Sequence, residues 1–141
     1  MRTLLIADDN DSVLRTLECF LGHSGFRVLP APSGTAALEI ARMEPIDAAL
    51  IDLHMPGLDG FQTCSALQVQ AREHSRTLPV WLMTGAFTQA AEKRGAELGA
   101  VAVLSKPFNC QDFVASVEKR WAEPAMPVSA TSPMPTVSPA A

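Results

Sequence analysis

The stretch Ala48-Ala49-Leu50-Ile51-Asp52 is a short apolar run that ends in a carboxylate. Three other runs share this form, since each leads into side chains that can contact phosphate or a metal ion. They are Thr3-Leu4-Leu5-Ile6-Ala7 before Asp8 and Asp9, Val80-Trp81-Leu82-Met83 before Thr84, and Val101-Ala102-Val103-Leu104, which Ser105 separates from Lys106. Ligands bind parallel sheets at the carboxyl ends of the strands, so these endings predict one shared polar site.

Segments with the spacing of amphipathic helices lie between these runs. A short second strand is expected at Phe26-Arg27-Val28-Leu29. The predicted helices cover Val13–Leu21, a Ser33-capped segment that ends before Pro45, about Asp59–Arg72, Thr88–Leu98, and an Asn109-capped segment carrying Phe113, Val117 and Trp121. This alternation predicts an α/β domain, in which helices cover both faces of a parallel sheet.

Composition limits the kinds of protein that the chain can be. Its 141 residues suit one domain with an ample core, because 48% are hydrophobic. The net charge of −4 argues against nucleic-acid binding by this domain. Apolar runs reach about five residues, far below the roughly 18 of a membrane span, and no signal-peptide pattern is present, so we expect a cytoplasmic protein without membrane contact. Cys19, Cys64 and Cys110 are odd in number and widely spaced, which favours reduced, partly buried thiols.

Residues 122–141 differ in kind from the rest of the chain. Five prolines alternate there with Ala, Ser and Thr. Such a segment buries too little apolar surface to offset the entropy cost of ordering it. We therefore predict a domain over residues 1–121, followed by a disordered tail or linker over residues 122–141.

The polar strand endings indicate phosphoryl chemistry. If Asp8, Asp9 and Asp52 converge, their charges repel and at least one pKa rises. A divalent cation relieves this repulsion, and carboxylate oxygens suit Mg²⁺, with Mn²⁺ as a second choice. Thr84 offers a hydroxyl and Lys106 a positive charge to a phosphate bound beside the metal. An aspartate can itself be the nucleophile and form an acyl phosphate.

Each of these motifs has a simpler explanation when taken alone. Asp8-Asp9-Asn10-Asp11 can cap a helix, because acidic side chains favour helix N-termini. Asp52 can be a turn residue, and Lys106-Pro107 can be an ordinary surface step. Their joint placement at successive strand ends favours the shared site.

These residues resemble the receiver domain of bacterial two-component response regulators. The resemblance covers about residues 3–121. Its landmarks are Asp8-Asp9, the long stretch Asp52-Leu53-His54-Met55-Pro56-Gly57-Leu58-Asp59-Gly60, Thr84-Gly85 and Lys106-Pro107-Phe108. It implies a flavodoxin-like, doubly wound (βα)5 fold with a five-stranded parallel sheet in the order 2-1-3-4-5, the strand order known from flavodoxin and CheY.

The resemblance also implies a role for each matching residue. Asp52 is the phosphoacceptor. Asp9 binds Mg²⁺ directly, Asp8 binds it through a water molecule, and the His54 backbone carbonyl is a further ligand. Thr84 and Lys106 contact the phosphoryl group, with help from the backbone N–H groups of His54 and Gly85. The Lys106–Pro107 bond is expected to be cis.

The implied reaction moves a phosphoryl group to Asp52 from a phosphohistidine on a sensor histidine kinase or a histidine phosphotransfer protein. Slow self-hydrolysis follows, so the protein acts as a signalling switch and not as a turnover enzyme. The charge added at Asp52 changes which output protein or domain binds.

One position departs from the family pattern and keeps a second hypothesis open. The family has Tyr or Phe three residues before its lysine as a rotamer switch, whereas this chain has Val103. A receiver-like interaction module that is never phosphorylated is therefore an alternative. A third hypothesis, an aspartyl-phosphate hydrolase, is disfavoured because such enzymes carry Asp-x-Asp on the first strand, whereas Asp8 and Asp9 are adjacent.

Overall fold

The computed structural model describes residues 1–122. Five parallel strands alternate with five helices, and the sheet order is β2-β1-β3-β4-β5. The strands are β1 (Thr3–Ala7), β2 (Arg27–Ala31), β3 (Ala48–Asp52), β4 (Val80–Thr84) and β5 (Ala102–Ser105). The helices are α1 (Asp11–His23), α2 (Gly34–Met43), α3 (Gly60–Glu73), α4 (Gln89–Glu97) and α5 (Cys110–Ala122). The predicted fold class and strand order are confirmed.

The core lies in two layers, one on each face of the sheet. Successive strand residues point to opposite faces, so each buried strand contributes to both layers. One layer packs against α2, α3 and α4, and the other against α1 and α5. The first includes Leu5, Ile51, Leu82, Ala37 and Leu67, and the second includes Leu4, Leu50, Trp81, Leu17 and Phe113.

Side-chain caps begin the helices where the sequence suggests. Ser33 and Asn109, both predicted caps, accept the backbone N–H groups of Ala36 and Asp112 at 3.1 and 3.0 Å. Asp59 caps α3 reciprocally with Gln62, each side chain accepting the other's backbone N–H. These bonds satisfy N–H groups that the first helical turn leaves without partners.

The second strand is present, but its bounds differ from the predicted ones. It begins at Arg27 and continues through Pro30 to Ala31, instead of spanning Phe26 to Leu29. Pro30 is tolerated because β2 is an edge strand that pairs only with β1. The longer strand matters for the site, because the Ala31 carbonyl accepts the Asp8 backbone N–H at 3.1 Å.

Complete burial of every residue is confined to the three central strands. Every residue of β1, β3 and β4 is buried. In the edge strands, Arg27, Pro30 and Ser105 are exposed. The two edge strands still contribute to both core layers, Leu29 and Val103 to one, and Val28 and Leu104 to the other.

Three further expectations concern the termini, membranes and cysteines. The predicted tail lies outside the described residues, except for Ala122, which ends α5. No helix within residues 1–122 has the length and apolar character of a bilayer span. All three cysteines are unpaired, as predicted; Cys64 is buried and Cys110 is half-buried, but Cys19 is exposed.

Val103, which occupies the position of the family's aromatic switch, forms a close contact between β5 and α4. Val103 is 7% exposed. A Cβ atom added at Gly95 of α4 would lie 2.6 Å from Val103 Cγ2 and 3.4 Å from Leu82 Cδ1. Gly95 thus allows α4 to lie directly on the sheet.

Gly95→Ala is expected to destabilise the protein by about 1–3 kcal/mol, because the added methyl group overpacks this contact. Denaturant unfolding measures the change. Val103→Ala should relieve the clash, so the double variant should lose less stability than the sum of the two single variants.

Gly22→Ala is the matched control. Gly22 lies in α1, and an added Cβ there meets nothing within 4 Å, so alanine should stabilise the helix by about 0.5–1 kcal/mol. A Gly95→Ala variant that unfolds like this control would contradict the close packing.

Candidate functional site

The polar strand endings converge at one edge of the sheet. Asp52 and Thr84 are the last residues of β3 and β4. Asp8 and Lys106 are the first residues after β1 and β5. These four strands are consecutive neighbours in the sheet. Parallel strands present their carboxyl ends at the same edge, so residues distant in sequence meet there.

Three carboxylates form the centre of the site. One oxygen from each of Asp8, Asp9 and Asp52 lies within 4.8 Å of the other two. Asp8 and Asp52 are only 1% and 4% exposed, while Asp9 faces solvent. Within residues 1–122 no other group of three or more His, Cys, Asp or Glu side chains comes together in this way.

The Lys106 ammonium lies between two of these carboxylates. Its Nζ is 2.7 Å from Asp8 Oδ2 and 3.1 Å from Asp52 Oδ1. The other Asp8 oxygen, Oδ1, accepts the Asn10 backbone N–H at 2.8 Å. Lys106 is anchored in turn, because its own N–H donates to the Thr84 carbonyl at 2.7 Å. The Lys106–Pro107 bond is cis, as the resemblance implied.

The pKa of Asp52 and the pKa of Lys106 are both raised, but for different reasons. Burial raises the pKa of Asp52, and the nearby charge of Asp8 raises it further, despite the opposing effect of Lys106. Burial alone would lower the pKa of Lys106, but its bonds to Asp8 and Asp52 outweigh that effect and raise it. The charged form of Asp52 is therefore less favourable than that of an exposed carboxylate, whereas the contacts of Lys106 favour its charged form.

The loop that follows Asp52 is held tightly to the sheet. The Leu53 N–H donates to the Met83 carbonyl at 2.8 Å, and the Gly60 N–H donates to the Leu53 carbonyl at 3.0 Å. A Cβ atom added at Gly60 would lie 2.5 Å from the Asp52 carbonyl oxygen. Because the obstacle is backbone, only glycine lets α3 start this close to the acceptor strand.

One contact of the site was missed by the sequence. The resemblance assigns roles to the backbone carbonyl and N–H of His54, whereas the structure also brings its side chain to the site, with Nε2 3.0 Å from Thr84 Oγ1. Thr84 Oγ1 also accepts the Ala86 backbone N–H at 3.0 Å. His54 and Thr84 are 30 positions apart, so spacing carried no signal of the pair. Gly85 lies on the exposed turn after Thr84.

Family comparison agrees with this geometry. The response regulator receiver domain model matches residues 4–118. The chain belongs to this family. Its receiver domain is therefore a module of two-component signal transduction, in which receiver domains interact with histidine kinases and with output domains. This membership also removes support from the hydrolase hypothesis.

Individual relatives are longer than the segment that they share with this chain. The chain is 35% identical over 117 residues to the response regulator GtcR of Aneurinibacillus migulanus, covering 83% of this chain and 46% of that protein. It is 32% identical over 117 residues to the alkaline phosphatase synthesis transcriptional regulatory protein PhoP of Bacillus subtilis, covering 83% and 47%. The chain thus spans about half the length of these curated relatives.

This chain matches nearly the whole length of one solved structure. The chemotaxis protein CheY4 of Vibrio cholerae superposes with a TM-score of 0.77 at 27% identity, covering 84% of this chain and 98% of that one. The receiver fold of residues 1–122 is therefore close to that of a protein consisting of little else.

The raised pKa of Asp52 makes a stability prediction. Asp52→Asn is expected to raise the Tm of the metal-free protein at neutral pH by about 2–6 °C, because it removes a buried charge beside Asp8. The gain should vanish below about pH 3.8, the ordinary pKa of the group, where Asp52 is protonated in both folded and unfolded chains. Thermal unfolding at several pH values tests this.

Asp59→Asn is the control, because asparagine caps a helix as aspartate does. This change should leave the Tm nearly unaltered. An Asp52→Asn variant that melts below wild type at neutral pH would show that the Lys106 contact outweighs burial and repulsion.

Proposed function

We propose that Asp52 accepts a phosphoryl group from a phosphohistidine in a Mg²⁺-dependent reaction. The observation that carries this proposal is the convergence of Asp8, Asp9 and Asp52 within 4.8 Å, with Lys106 Nζ 3.1 Å from the Asp52 carboxylate. Two buried acids and one exposed acid beside a fixed cation suit a site that gathers anionic oxygens around a nucleophile.

The donor set fits Mg²⁺. All of its side-chain ligands are carboxylate oxygens, which Mg²⁺ prefers, and Mn²⁺ can substitute. Asp8, Asp9, Asp52 and the His54 carbonyl would hold the ion. When bound, the ion neutralises negative charge on the three carboxylates and on the phosphoryl oxygens.

The chain's own residues supply the rest of the reaction. An Asp52 oxygen forms the bond to phosphorus while the bond from phosphorus to the donor histidine nitrogen breaks. The electron pair of that bond stays on the imidazole, which takes up a proton. Lys106 and the Thr84 hydroxyl, aided by the N–H groups of His54 and Gly85, contact the transferred phosphoryl oxygens.

The phosphorylated domain then acts as a switch with slow self-dephosphorylation, without multiple turnover of a free substrate. A sensor histidine kinase or a histidine phosphotransfer protein supplies the phosphoryl group, and an output protein or domain reads the result. Residues 122–141 would serve as a tail or a linker after the receiver unit.

Asp52→Asn should abolish labelling of the protein by acetyl phosphate with Mg²⁺, because the amide cannot form an acyl phosphate. A phosphate-affinity gel or intact-mass measurement detects the product. Asp59→Asn, which changes an acid in the same loop outside the carboxylate cluster, should label like wild type. Full labelling of Asp52→Asn would place the acceptor elsewhere.

Asp9→Asn should weaken Mg²⁺ binding by roughly tenfold or more, because it removes a direct charged ligand. Since Asp9 faces solvent, the folded state should be little affected. Isothermal titration measures the affinity and thermal unfolding checks the fold. Chelation of Mg²⁺ should stop labelling of wild type, and Mn²⁺ should restore it; equal Mg²⁺ affinity in the variant would exclude Asp9 as a ligand.

The alternative is an interaction module that is not phosphorylated. Val103, buried against α4 where an aromatic switch is usual, is the observation that favours it. A wild-type protein that gives no shifted band after treatment with a small phosphodonor and Mg²⁺ would favour this alternative.

A further inference from the structure

We infer that His54 is a positioning residue that binds the Thr84 hydroxyl before phosphorylation and competes for it with the phosphoryl group. The inference rests on the proposed function, because it concerns the same site. It adds a side-chain role to His54, whose backbone carbonyl alone is assigned to the metal.

The direction of the bond follows from the donors and acceptors present. A hydroxyl has one hydrogen to donate and two lone pairs. Thr84 Oγ1 already accepts the Ala86 N–H at 3.0 Å, and His54 Nε2 lies 3.0 Å from the same oxygen. Thr84 is fully buried, and a buried hydroxyl hydrogen without an acceptor is costly. Donation from Thr84 to His54 Nε2 therefore satisfies the hydroxyl hydrogen, and it places the His54 proton on Nδ1.

This assignment creates a competition. Thr84 has a single hydrogen, and the proposed phosphoryl contact on Asp52 needs that same hydrogen. The bond to His54 must break before the phosphoryl contact forms. His54 therefore stabilises the unphosphorylated arrangement and weakens binding at Asp52 by about the strength of one hydrogen bond, a factor of roughly two to ten.

The contact also joins two loops across the site. His54 lies in the loop after β3, two positions beyond Asp52, and Thr84 ends β4 where the turn to α4 begins. Loss of this bond would therefore separate the acceptor loop from the end of β4, while Thr84 Oγ1 can keep the Ala86 N–H. The side chain of His54 thus connects the loop after Asp52 with the segment between β4 and α4.

The test is a double-mutant cycle on the affinity for beryllofluoride, a phosphoryl mimic, in saturating Mg²⁺. Wild type, His54→Ala, Thr84→Ala and the double variant are compared by isothermal titration. His54→Ala should bind about two- to tenfold more tightly than wild type. In the Thr84→Ala background, the same change should alter affinity less than twofold, because the shared hydrogen is gone.

His74→Ala is the matched control, because His74 is an exposed histidine that bonds a backbone carbonyl on α3. It should bind beryllofluoride like wild type. Unchanged or weaker binding by His54→Ala, or equal tightening in both backgrounds, would overturn the inference.

Nitrogen-15 NMR of the His54 ring gives a second readout. In wild type, Nε2 should be unprotonated and hydrogen-bonded, and its signal should move on beryllofluoride binding and in Thr84→Ala. A protonated Nε2 in the unliganded protein would overturn the assigned direction. The proposed function fails separately, and the inference with it, if wild type shows no Mg²⁺-dependent binding or if Asp52→Asn binds equally well.

Discussion

The ammonium of Lys106, placed between Asp8 and Asp52, is the interaction on which the site depends. The fold gathers three acids at neighbouring strand ends and leaves two of them almost without solvent. Uncompensated, such charges would repel one another and favour protonation. Lys106, at 2.7 and 3.1 Å from the two buried acids, offsets part of that repulsion. Negative charge from the three carboxylates exceeds the positive charge of the one ammonium, and this excess suits the site to a divalent cation and a phosphoryl group.

That balance requires accurate backbone placement, and several close contacts provide it. The Ala31 carbonyl holds the backbone of Asp8, and the Thr84 carbonyl holds that of Lys106. Gly60 lets α3 begin against the end of β3. In each contact the partner is a strand carbonyl, of Ala31, Thr84 or Asp52, so the sheet itself positions the residues of the site.

The output side of the molecule differs from the common receiver pattern. Val103 is small, stiff about χ1 and packed on Gly95. Two contacts also join α3 to α4 and to the turn after it. The guanidinium carbon of Arg94 lies 4.6 Å from the centre of the Phe61 ring, and Gln68 Nε2 donates to the Gly99 carbonyl at 3.2 Å. The position where the family carries an aromatic side chain is therefore occupied here by a small residue that packs directly against α4.

The sequence by itself determined the alternation of strands and helices, the caps Ser33 and Asn109, and the set of polar residues at the strand ends. It could do so because apolar periodicity and capping are local properties. The strand order came from a resemblance, since no local pattern encodes which strands are neighbours. The end of β2 was misplaced, because tolerance of Pro30 depends on β2 being an edge strand. The His54–Thr84 bond, the two contacts of Lys106 and the approach of Gly95 to Val103 were decided by tertiary structure alone, because each joins residues that only the packed sheet brings together.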